Sequence, residues 1–250
     1  MHGKVVLVTG GGSGIGRAAA IAFAAAGATV AVAGRRQQAV DDTARAIAAN
    51  GGQAAAFTVD VADGDSVRTL VDAVGARFGR FDAAFNNAGT EGKFAPILAL
   101  EEGDFDAVVA TNLKGVWLSM KYQVAAMQAF GNGGAIVNTA SWLAVAPVAG
   151  ASAYAASKCG LAAMAAAVAL EVGPLGIRVN TICPGIIDTP MFHRLGDAAV
   201  LARFAAVTPL RRAGLPQDVA DAAVWLAGDG ARFITGQSIT VDGGYTLTGR

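Results

Sequence analysis

The stretch Val5-Val6-Leu7-Val8-Thr9-Gly10-Gly11-Gly12-Ser13-Gly14-Ile15-Gly16-Arg17 decides the fold. Its first four residues are apolar without alternation, as expected of a strand buried on both faces of a parallel sheet. The glycines that follow permit a tight turn and let backbone amides approach an anion with no Cβ in the way. A helical pattern over 14–26 begins at once, aiming its unsatisfied N–H groups and positive dipole end at the same turn. Strand, glycine turn and helix in that order favour a nucleotide's pyrophosphate over a merely flexible loop. The spacing is Gly-x-x-x-Gly-x-Gly, not the commoner Gly-x-Gly-x-x-Gly.

Outward from this stretch the same alternation repeats. Strand candidates are Val5–Val8, Thr29–Ala33, Ala54–Val59, Phe81–Asn86, Ala135–Thr139, Arg178–Ile182 and Ser238–Val241. Between them lie helical patterns at 14–26, 36–49, 64–78, 104–130, 153–172 and 216–227. This predicts an α/β, doubly wound (Rossmann) parallel sheet of about seven strands, with helices on both faces and ligands beyond the strands' carboxyl ends. Gly27, Gly51-Gly52 and Gly79 stand where helices should stop. No linker or repeat divides the chain, so residues 1–250 are expected to form one domain. Residues 188–215, with Pro190, Gly196, Pro209 and Gly214, break the pattern and read as a flap.

Composition excludes several classes. Nineteen basic and nineteen acidic side chains cancel, leaving no cationic excess for binding nucleic acid. The longest charge-free stretch, 122–157, is interrupted by Gly131, Gly133, Gly134 and Pro147, so no membrane span is expected. No signal-peptide order opens the chain. Cys159 and Cys183 read as reduced thiols of a cytoplasmic protein.

Thr9-Gly10…Gly14-x-Gly16, Asn86-Asn87-Ala88-Gly89, Tyr154-x-x-x-Lys158, Pro184-Gly185 and Val241-Asp242-Gly243-Gly244 together resemble the short-chain dehydrogenase/reductase family over essentially the whole chain. The resemblance implies a single-domain nicotinamide enzyme. Its cofactor would be held by Gly10, Ser13, Gly14, Ile15, Gly16, Asn87, Ala88 and Gly89, by Asp60 and Val61 near adenine, and by Pro184, Gly185, Ile187 and Thr189 near the carboxamide. Read as an isolated residue, Asp60 fits a turn or helix-entry aspartate equally well. The strand Thr29–Ala33 runs into Gly34-Arg35-Arg36 with no acid at the turn, which favours NADP over NAD through bidentate bonds to a 2′-phosphate. Ser13 departs from many NADP-using relatives, which carry a basic residue there; NAD stays the second choice.

Tyr154 and Lys158 lie four apart, on one face of a helix. An ammonium beside a phenol is expected to lower its pKa and make it a usable proton donor and acceptor. By resemblance Ser141 bonds the reacting oxygen, Lys158 also binds the nicotinamide ribose, and Asn112 marks a helix kink that holds a relay water; a buried, satisfied amide is the plainer alternative for Asn112. The implied reaction is reversible hydride transfer between nicotinamide and a carbonyl carbon.

Glu91, Phe94, Trp142, Leu143, Val148, Met191 and Phe192 are the candidate pocket walls. Their character suggests a neutral, largely apolar ketone or secondary alcohol, and no arginine is evident there to hold a carboxylate. Alternatives are an NAD-dependent alcohol or sugar dehydrogenase, a 3-oxoacyl thioester reductase, an enoyl reductase (disfavoured by the four-residue Tyr–Lys spacing) and a non-catalytic NADP sensor. His2 and His193 lack metal-ligand spacing, so no metal is expected. Cys159 is expected to pack as an apolar residue, and Cys183 to be structural. Glu101-Glu102-Gly103-Asp104 reads as a helix start. By resemblance the assembly is a homotetramer.

Overall fold

The computed structural model describes residues 1–248; Gly249 and Arg250, the end of the expected domain, lie outside the described residues. Seven strands, β1 (Val5–Thr9), β2 (Thr29–Gly34), β3 (Gln53–Thr58), β4 (Ala83–Asn86), β5 (Gly134–Thr139), β6 (Ile177–Pro184) and β7 (Ser238–Val241), form one sheet in the order β3-β2-β1-β4-β5-β6-β7. Every pairing is parallel. Eight helices accompany them among the described residues: α1 (Gly14–Ala25), α2 (Gln37–Ala49), α3 (Gly64–Phe78), α4 (Glu102–Val109), α5 (Gly115–Phe130), α6 (Ser152–Val172), α7 (Ala198–Val207) and α8 (Pro216–Ala227).

The period-2 geometry of a strand explains why two cores form. Val6 and Val8 of β1 pack with Phe23 of α1, Ile47 of α2 and Leu226 of α8, whereas Val5 and Leu7 pack with Leu70 of α3, Met120 of α5 and Leu161 of α6. Helix ends follow local chemistry. The Asp63 carboxylate accepts the Asp65 N–H at the start of α3, and Gly79, at φ +70, ends that helix in the left-handed region. At the expected acidic helix start, the Glu101 N–H donates to the Asp104 carboxylate at 3.0 Å.

Strand order reverses between β1 and β4, where Thr9 stands opposite Asn86. A crevice opens beyond the carboxyl ends there. The glycine turn after β1, Asn87 after β4, Ser141 after β5 and Gly185 after β6 all lie on this one edge.

Three stretches differ from expectation. Phe81 and Asp82 precede β4 instead of joining it: the buried Asp82 carboxylate accepts from the Val5 N–H (2.7 Å), Arg80 (2.6 Å) and Asn132 (2.6 Å). The helical stretch 104–130 contains a π-turn at Ala110–Lys114, so α4 and α5 join through Asn112. Residues 188–215 carry α7 and a short 3-10 turn, Phe192–Arg194, and a bridge between Ile187 and Gly214 closes their base. Helix α6 is long and apolar enough to cross a bilayer by composition alone; here it buries Ala153, Lys158, Leu161 and Ala165 within the protein.

Candidate active site

The glycine turn is folded directly onto the segment after β4. A Cβ on Gly16 would lie 2.1 Å from the Gly10 carbonyl oxygen, and one on Gly10, at φ +66, would lie 3.0 Å from the Ala88 backbone. Only bare backbone fits. Thr9 Oγ1 joins the two segments by accepting the Asn87 and Ala88 N–H groups at 3.1 and 3.2 Å. Gly14 faces Thr189 across 3.4 Å, measured from where its Cβ would stand. Thr189 Oγ1 in turn donates to Ile187 O (3.3 Å) and accepts from Phe192 N–H (3.2 Å). Gly185 abuts Asp242 so closely that a Cβ would meet it at 2.5 Å.

This cradle fits a dinucleotide: a turn that a single methyl would fill lies at the start of a helix whose first turn carries no acid. Ser13 is the N-cap of α1 yet makes no capping bond, and Ile15 packs into the core. Pro184 closes β6. Arg35 and Arg36 are exposed, and their guanidinium groups make no hydrogen bond or ion pair among the described residues. The Asp60 carboxylate accepts the Ala62 N–H at 3.0 Å, a turn-forming role, while Val61 is buried in the core.

On α6, Tyr154 and Lys158 turn toward the ends of β5 and β6. Lys158, 4% exposed, donates from Nζ to Thr139 O at 2.8 Å and sits 5.7 Å from the centre of the Tyr154 ring. The Ser141 hydroxyl lies close enough to the phenol to favour its ionised form. Ser141 Oγ also accepts the Leu143 N–H at 3.2 Å, which leaves its proton free to be donated. Gly89 stands against both Asn112 and Lys158, at 3.2 and 3.6 Å from its would-be Cβ. Asn112 is fully buried: Oδ1 accepts Thr90 N–H (2.8 Å), and Nδ2 donates to Thr90 O (2.8 Å) and Ser157 Oγ (3.3 Å). Both sequence readings of Asn112 meet here, a satisfied amide within a π-turn, a feature that frequents functional sites.

One expectation is reversed. The Tyr154 phenol is pushed up to about 12: burial dominates, the neighbouring Ser141 hydroxyl pulls it back, and the charge of Glu91 raises it further. Burial likewise holds Lys158 down, to about 8. Desolvation penalises both charged forms and outweighs the expected lowering of the phenol by the ammonium.

Aromatic rings cluster near these groups. Phe94 lies 5.9 Å from Tyr154, and Trp142, Tyr245, Phe204 and Phe192 form a chain of rings at 5.0, 5.8 and 6.1 Å. Tyr245 and Phe204 escape sequence reading because Tyr245 falls just past the Val241-Asp242-Gly243-Gly244 motif and α7 carries none. Leu143 is buried beside Ser141, Val148 lies on an exposed loop, and Met191 opens the 3-10 turn of the flap. Contrary to expectation an arginine is present: Arg194 pairs with Glu91 through Nε–Oε1 (2.5 Å) and Nη2–Oε2 (3.0 Å). A lone arginine in a motif-free flap offers no sequence signal. His193 is bonded to Asp188 at 2.7 Å. Cys159 is exposed and its thiol donates to Ala144 O at 3.2 Å, so it is not packed as an apolar residue; Cys183 is buried, and burial pushes its thiol up.

Residues 10–246 match the family described as enoyl-(acyl carrier protein) reductase. The chain is 41% identical to cis-4-hydroxycyclohexanecarboxylate dehydrogenase of Sinomonas cyclohexanicum, covering 97% of this chain and 96% of that one. It is 40% identical to 2,5-dichloro-2,5-cyclohexadiene-1,4-diol dehydrogenase of Sphingobium indicum, covering 98% of each. The chain belongs to the short-chain dehydrogenase/reductase family. The crystal structure of levodione reductase superposes on this family member with a TM-score of 0.94 at 35% identity, over 99% of each chain. This short-chain dehydrogenase/reductase is thus an oxidoreductase acting on alcohols and ketones with a nicotinamide cofactor.

Proposed function

We propose that this protein is an NADP(H)-dependent carbonyl reductase and alcohol dehydrogenase, interconverting a neutral, largely apolar cyclic ketone and its secondary alcohol. One observation carries the reading: Ser141, Tyr154 and Lys158 converge beside the glycine turn, under a wall of aromatic rings. When bound, the reduced nicotinamide supplies the hydride. Tyr154, protonated at neutral pH, gives its proton to the carbonyl oxygen as negative charge builds there, and Ser141 donates a hydrogen bond to that oxygen. Lys158, held down to about 8, exchanges protons readily near neutrality and refills Tyr154. One of its three N–H donors is used on Thr139 O, which leaves others for the ribose hydroxyls. The π-turn at Asn112 would hold a relay water at the main chain.

Cofactor preference rests on Arg35 and Arg36, just past the end of β2, whose guanidinium groups have no partner among the described residues and can grip a 2′-phosphate. The ring-shaped alcohols in the names of relatives and the aromatic wall support a cyclic substrate. We further propose a cytoplasmic homotetramer. Following NADPH and NADH absorbance with a panel of cyclic ketones and alcohols tests the reading. The expected outcome is turnover with a higher kcat/KM for NADPH, and loss of nearly all turnover in Tyr154→Phe while cofactor still binds. A higher kcat/KM with NADH overturns the preference; silence across the panel favours a nucleotide sensor.

A further inference from the structure

The loop after β4 wraps the reacting groups one residue at a time. Gly89 lies against Lys158, Thr90 is bonded both ways by Asn112, and Phe94 stacks near Tyr154. Glu91, the residue between, turns to the flap and takes both oxygens to Arg194, a partner 103 positions away in sequence. The flap reaches this point from the glycine turn, with Thr189 on Gly14 and Arg194 Nη1 donating to Pro190 O at 3.1 Å. The pair therefore ties the loop after β4 to the flap, beside the reacting groups. Glu91 is near enough for its charge to be felt at the phenol, and its side chain is only 15% exposed, whereas that of Arg194 is 56% exposed.

A half-exposed guanidinium on the flap over the reacting groups is a natural receiver for a substrate carboxylate, because its fork matches two oxygens. Here that fork is already filled from within. Its other bond goes to a main-chain carbonyl, and the nearby Asp188 is engaged with His193. We propose that Glu91 is a specificity-determining residue: by occupying Arg194, it reserves the pocket for uncharged substrates and turns away those bearing a carboxylate. The inference rests on the proposed alcohol–ketone activity.

The test compares two probes that differ by one carboxylate, cyclohexanol and cis-4-hydroxycyclohexanecarboxylate, as the ratio of their kcat/KM values. Glu91→Gln keeps the shape of the side chain and removes its charge. It is expected to raise the acid-to-neutral ratio about five- to tenfold, mainly through KM for the acid. Glu91→Asp, which retains the charge, is expected to keep the wild-type ratio. Adding Arg194→Gln to Glu91→Gln should abolish the gain. Glu91→Ser gives the same reading should the amide variant not fold. An unchanged ratio in an active Glu91 variant overturns the inference, as does a gain that survives loss of Arg194. Wild-type silence toward both probes and every other cyclic alcohol would instead overturn the underlying activity.

Discussion

Replacing Lys158 by Met should damage the enzyme and strengthen the protein. The ammonium is 4% exposed, and burial lowers it from 10.5 to about 8. Holding it charged at neutral pH therefore costs roughly 3 kcal/mol relative to the unfolded chain. Against this, the substitution leaves the buried Thr139 carbonyl without its 2.8 Å donor, a loss of about 1–2 kcal/mol. The difference is a net gain of about 1–2 kcal/mol, or a Tm rise of roughly 3–6 °C for a chain of this size. The pH dependence follows from the sign of the shift. Between pH 8 and 10.5 the unfolded chain binds more protons at this lysine than the folded one, so wild-type stability rises with pH across that window. Tyr154 is shifted upward, from 10.0 to about 12, and opposes this only above pH 10. Thermal unfolding of the cofactor-free protein at pH 7 and pH 9.5 checks both points. The variant's advantage should be full at pH 7 and clearly smaller at pH 9.5, with turnover reduced at least about a hundredfold. A variant less stable than wild type at pH 7, or an advantage independent of pH, would refute the reasoning.

Replacing both Arg35 and Arg36 by Ser should raise KM for NADPH by about 10–100-fold and leave KM for NADH nearly unchanged, as read from initial rates with each cofactor. Gly16→Ala places a methyl 2.1 Å from the Gly10 carbonyl oxygen; a loss of about 3 kcal/mol or more in urea unfolding is expected, together with loss of dinucleotide binding. Asn112→Ala strips both main-chain bonds from Thr90 and should lower stability by about 2–4 kcal/mol in the same assay. Its kcat should fall too, because Thr90 lies beside Gly89 and Glu91.

The readable part of this protein was the part with strict local geometry. A strand buried on both faces must be apolar throughout, as Val5–Val8 is, and a backbone pressed onto Ala88 must be glycine, as Gly10 is. Such constraints mark single positions in the chain, so the sheet and the glycine turn were legible, whereas Ser141, Tyr154 and Lys158 were singled out by their resemblance to the family's motifs. The Glu91–Arg194 pair obeys no local rule: either residue alone is an ordinary polar loop residue, and only the path of the flap brings them together. Phe204 and Tyr245 are alike in this respect, meeting at 5.8 Å from α7 and the tail. The Tyr154 phenol misled for a different reason. Helical spacing reports which groups are neighbours, but not how much water has been removed from them, and here desolvation decides the outcome.

The reversal of strand order at β1 also bears on how the chain comes to its native state. Of these seven strands β1 is made before the others, and one of its two edges, Val6 against Ala83, cannot be satisfied until β4 has been made. Parallel pairing across such distances is entropically demanding and slow. A nascent chain that stops short of β4 therefore carries an open edge of unpaired main-chain groups on a largely apolar strand, ready to capture another copy. Protection during synthesis is thus needed most before about residue 83, well ahead of the point at which the reacting groups of α6 are even translated.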